Sequence, residues 1–145
     1  MGLSLNKILT DTLGLLDTDD WSSGAFIPFE QYDNFAAPAY VCWSLVTIQL
    51  DDYGSVTNEV AAKMQLILNC YLLGITDLAS EVSTAIDSIL DTFNCANTAF
   101  LAVLGANDIH KTIITQVATS GGLYMAGNRE IIQFTFEFSK NQIAN

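Results

Sequence analysis

From Glu130 to Ser139 the chain alternates apolar with polar residues: Ile132, Phe134, Phe136 and Phe138 against Gln133, Thr135, Glu137 and Ser139. A period of two predicts a strand with one buried and one wet face. Leu5, Ile8, Leu9, Leu13 and Leu16 fall instead on one helical face, so residues 4–16 predict an amphipathic helix. Ser4 is placed to cap its start, and the acids after Leu16 oppose its continuation. Residues 21–38, punctuated by Pro28 and Pro38, read as irregular, with a short strand at 25–29.

Tyr40, Val41, Trp43, Val46, Thr47 and Ile48 suit a pleated surface, and "DDYGS" from Asp51 signals a turn. The next segment carries two periods. Val60, Ala62, Met64, Leu66, Leu68, Cys70 and Leu72 alternate without a break, yet Val60, Met64, Ile67, Leu68 and Tyr71 also fit a helix. The strand reading makes residues 40–72 one long β-hairpin. Leu78, Val82, Ala85, Ile86, Ile89, Leu90 and Phe93 then form a helical stripe, with Gly74 as breaker and Asp77 as N-cap. A short helix over 96–104 is expected to end at Gly105, and 108–117 reads as another strand. The resulting fold class is α+β: an antiparallel sheet of about four strands with helices packed on one face.

The 145 residues suit a single domain, with 1–37 as helix plus irregular loop and 38–140 as the core. Half the residues are apolar, enough to exclude a disordered tail. No apolar run approaches the about 18 residues of a membrane span, and the N-terminus lacks a signal or myristoylation pattern. The formal charge is −11, and the five basic residues (Lys7, Lys63, Lys111, Arg129 and Lys140) are scattered. That argues against ordinary nucleic-acid binding, whose affinity comes from clustered Lys and Arg on phosphates. Acidity otherwise serves solubility.

Catalytic chemistry is hard to find. His110 is the single histidine, which excludes a multi-histidine metal site. Cys42, Cys70 and Cys95 lack zinc-ligand or redox spacing and read as buried reduced thiols. Asp51 and Asp52 are adjacent, so on a strand they face opposite sides. Asp17, Asp19 and Asp20 lack the remaining ligands of a calcium loop, and the glycines near Gly121 match no phosphate-binding fingerprint. The Phe stripe reads as core. No enzyme and no cofactor or metal site is expected.

Three stretches carry a family resemblance: "APAYVCWSLVTIQL" from Ala37, "KMQLILNCYLLGITDLASEVSTAIDSIL" from Lys63, and "GNREIIQFTFEFS" from Gly127. In order and spacing they resemble the tail or neck terminator proteins of tailed bacteriophages: a long strand after a proline, a strand, Gly and helix, then a closing strand preceded by Arg. The matching positions are Gly74, Ala79, Arg129, Ile131 and Phe136. The resemblance favours the extended reading of 59–72. It implies a virion structural protein at the tail–neck junction, made in the host cytoplasm. It also implies a homo-oligomeric, hexameric ring whose partners are the tail tube protein and the connector or adaptor protein. DNA passes through the lumen without specific binding, and no membrane is involved.

In such a ring the hairpin reaches a neighbour, and Asp51, Asp52, Tyr53, Lys63 and Arg129 are the expected interface residues. Arg129 either pairs with a neighbour's acid or is simply an exposed residue at a strand start. An acidic lumen would let DNA slide. The rival expectations are another head–tail adaptor or completion protein, and a small oligomeric α+β ligand-binding domain.

Overall fold

A computed structural model describes residues 5–16, 22–24, 39–51, 59–120 and 129–143. Three helices are described: α1 (Leu5–Gly14), α2 (Leu78–Thr92) and α3 (Thr98–Ala106). The strands are β1 (Ser22–Gly24), β2 (Ala39–Asp51), β3 (Glu59–Leu73), β4 (Ile109–Thr119) and β5 (Arg129–Ile143), in the sheet order β1-β2-β3-β5-β4. The four long strands are antiparallel to their neighbours, as the sequence predicts. The sheet differs by a fifth strand: β1 pairs parallel with Tyr40–Cys42 at one edge. It lies just before the expected strand at 25–29, which falls outside the described residues.

The ambiguous segment is extended. As β3 it pairs along most of its length with β2 on one side and with β5 on the other. Its even-numbered residues Ala62, Met64, Leu66, Leu68, Cys70 and Leu72 are all buried. A helix would have spread these residues around its circumference. In the sheet they form one apolar row between Val41 and Trp43 of β2 and Ile132, Phe134, Phe136 and Phe138 of β5.

The helices cover that face. Ile8, Leu9 and Leu13 of α1, Ala85 and Ile89 of α2, and Phe100 and Leu104 of α3 join the same cluster. Trp43 lies edge-on to Phe136, Phe138 and Phe93, with centroids 5.2, 6.0 and 6.4 Å away. Its indole Nε1–H donates to the Thr12 hydroxyl of α1 at 3.0 Å, so the one polar atom of this buried ring is satisfied. Thr12 in turn donates back to Ile8 O at 2.7 Å, which keeps its own hydroxyl paired inside the core.

Local signals set most boundaries. Asp77 caps α2 by accepting from Ser80 N, and the Glu81 carboxylate accepts from Thr76 N and Asp77 N at 2.8 Å. Gly74, with φ +69°, takes the left-handed conformation that turns the chain from β3 towards α2. The short helix departs from expectation at both ends. Asn97 caps it by accepting from Ala99 N, so it starts at Thr98 rather than Ala96. Gly105 stays helical, and the left-handed position is Asp108 at φ 57°. Asn107 supplies the stop, its Nδ2 donating to Val103 O at 2.9 Å.

Phe136 sits at the centre of the aromatic cluster, so Phe136→Ala should cost about 3–5 kcal/mol of folding stability. Thr135→Ala, on the opposite face and only partly buried, should cost less than about 1 kcal/mol. Urea titration of both variants checks the difference, and equal losses would contradict this core.

Candidate functional site

Of the expected interface residues that the structure describes, Asp51 and Lys63 lie towards one end of the sheet and Arg129 at the other. Asp51 ends β2 opposite Ala61, close in register to Lys63, which pairs with Gln49. Asp52 and Tyr53 lie outside the described residues. Arg129 opens β5 opposite Leu73, at the other end of the sheet. Ten residues of strand separate the levels of Lys63 and Arg129, about 33 Å. Lys63 is exposed and lies 3.7 Å from the Glu137 carboxylate on the neighbouring strand. A half-exposed pair at that distance contributes at most about 1 kcal/mol, which leaves Lys63 available to another acid.

Lys63 and Glu137 belong to the face turned away from the helices. On it, Asn69 Nδ2 donates to Ser44 Oγ at 2.7 Å, and Gln133 Nε2 donates to Asn69 Oδ1 at 2.9 Å. This polar ladder ties β2, β3 and β5 together. Tyr71 and Ile131 on the same face are buried, whereas Gln65, Thr135 and Ser139 are only partly covered.

Two buried charges were not singled out from the sequence, although the alternation of β5 points to both. Glu130 and Lys140 continue the even-numbered series of Ile132 to Phe138 and so fall on the core face. Glu130 is satisfied locally: its carboxylate accepts from Ser120 N at 2.8 Å, from the Ser120 hydroxyl, and from Ile131 N at 3.1 Å. That cluster holds the end of β4 against the start of β5. Lys140 is paired in register with Ile109 at the opposite end. Nearby, Lys7 bridges to Asp11 at 2.8 Å, and Asn107 Nδ2 donates to Asp11 at 3.0 Å, fastening α1 to the end of α3. These two hydrogen bonds hold the Asp11 carboxyl below its ordinary range.

A groove of about 340 Å³ opens where α2, α3 and β4 meet, lined by Leu90, Phe93, Asn94, Cys95, Phe100, Thr112 and Ile114. Cys95 is exposed, not buried as its sequence context suggested, because it follows the end of α2; Cys70 is buried as expected. His110 is exposed on β4. No group of three or more His, Cys, Asp or Glu side chains is placed to hold a metal ion among the described residues. No described helix is long and apolar enough to cross a membrane. Neither a known protein family nor a curated protein sequence matches this chain.

Burial pushes the pKa of Lys140 below its ordinary 10.5; Asp108 opposes the shift and Lys7 adds to it. The folded chain therefore binds fewer protons than the unfolded chain between the lowered value and 10.5. Stability should rise with pH across that window and fall as pH drops back through it. Lys140→Met should remove this rise. Denaturant titrations at a series of alkaline pH values check it, and parallel profiles for the two proteins would contradict it.

Proposed function

We propose that this protein is a structural assembly subunit whose function resides in its surfaces. Within that class, the reading best supported is a tail or neck terminator of a tailed bacteriophage. In this reading six copies form a ring that caps the tail tube, joins it to the head-side connector and lets DNA pass through the lumen. The observation that carries the proposal is the succession of the long β2–β3 hairpin, left-handed Gly74, helix α2 and closing strand β5. That is the order of elements on which the resemblance to terminator proteins rests.

Charge supports the same reading. Sixteen carboxylates against five basic residues give a surface that does not hold DNA by its phosphates. Carboxylates facing the lumen would keep the passing duplex mobile. The Lys63–Glu137 face, covered by no described helix, is the surface this reading assigns to contact between subunits or with the tube.

The groove beside β4 favours a second reading, a small oligomeric domain that binds an apolar ligand. Electron microscopy of the purified protein separates the two. The terminator reading expects six-fold rings with a central hole of at least about 20 Å, the width of a DNA duplex. Compact particles that retain a small molecule on purification would overturn it in favour of the second.

A further inference from the structure

The sheet has two outer edges, and each leaves strand unpaired among the described residues. β4 pairs only with β5, so the far side of Ile109–Thr119 has no partner among the described residues. At the other edge β1 covers β2 only at Tyr40–Cys42, which leaves residues 43–51 without an outer partner among the described residues. Unpaired edges of this length are templates for another strand unless charge or shape blocks them.

Both edges expose apolar side chains. Leu50 of β2 is 44% exposed, and Ile113 and Val117 of β4 are 38% and 39% exposed. Leu90, at the groove beside β4, is 37% exposed. The charges differ in sign. The run from Ile109 to Arg129 is the longest in the chain without a carboxylate and begins with exposed His110 and Lys111. The free part of β2 ends at Asp51 and runs on into Asp52. In a chain of net charge −11, self-contact repels unless one surface is free of acids. Strand β4 comes nearest to that condition: it holds no acid from Ile109 to Thr119, with Asp108 just before it and Glu137 of β5 beside Ile113.

We infer that the free edge of β4 in one copy pairs antiparallel with residues 43–51 of β2 in the next, extending the sheet from subunit to subunit. The directions agree: β4 runs opposite to β2 in the existing sheet, so a second β2 placed beyond β4 continues the alternation. One register also satisfies the faces. With Asp51 level with Lys111, Leu50 falls opposite Thr112 and Ile48 opposite Ile114. Leu50 and Ile48 are level with Ala62 and Met64 on the helix-covered side, and Thr112 and Ile114 line the groove. The incoming Leu50 therefore enters the groove beside Leu90 and Cys95. The irregularity of β2 between Leu45 and Thr47 meets that of β4 between Ile114 and Gln116, so the faces stay matched along the pairing. Because the two edges differ, the contact is head-to-tail and closes into a ring or propagates as a filament. The inference names the contact of the ring proposed above and takes only its copy number from that proposal.

The test is analytical ultracentrifugation of Asp51→Lys, Lys111→Asp and the double exchange, with the wild type alongside. Each single change should weaken association by at least about tenfold, and the double exchange should restore it. In parallel, Leu50→Cys should crosslink to Cys95 of a second copy through a short bis-maleimide, and adding Cys95→Ser should abolish the product. An oligomer indifferent to the charge changes, or crosslinking that survives Cys95→Ser, overturns the edge pairing and leaves a ring by other contacts standing. A wild-type monomer at every concentration overturns both the pairing and the ring.

Discussion

The structure depends on β3 having a partner on each side. A strand buried at the middle of a sheet must pair its backbone groups both ways, since an unpaired buried amide or carbonyl costs as much as a lost hydrogen bond. β2 and β5 meet that demand, and their pairing aligns three rows of apolar side chains on one face. Trp43, Phe134, Phe136 and Phe138 then present one surface to three helices. Removing the extended form of β3 would leave the Phe stripe of β5 without its neighbours and the helices without a floor.

Much of this was legible in the chain because period-two patterning survives wherever one face is buried. β5 was the clearest case, since its alternate residues differ sharply in polarity. β3 carried a second, helical period, because Ile67 and Tyr71 on its other face are also apolar. Pairing on both sides, which no local window contains, decides between the two. The helix ends were less legible. A glycine suggested the stop of α3, but the Asn107 side chain and a left-handed Asp108 perform it two to three residues later. β1 was not expected, because three residues at a sheet edge carry almost no periodic signal. Glu130 and Lys140 were hidden by their residue types, although their places in the β5 series give their burial away.

The described residues among the expected interface positions fall at two levels of the sheet. Lys63 and Asp51 come to the same end of the hairpin because β2 and β3 are antiparallel neighbours. Arg129 goes to the other end because β5 runs the opposite way to β3. The same geometry leaves two dissimilar edges among the described residues: β4, with no acid from Ile109 to Thr119, and β2, which ends at Asp51.

Residue-resolved amide hydrogen exchange tests the central claim most directly. The account predicts that amides of Met64–Cys70 exchange most slowly, through global unfolding alone, with backbone chemical shifts of extended structure. Helical shifts in this segment, or exchange there as fast as in the α3–β4 junction, would contradict it.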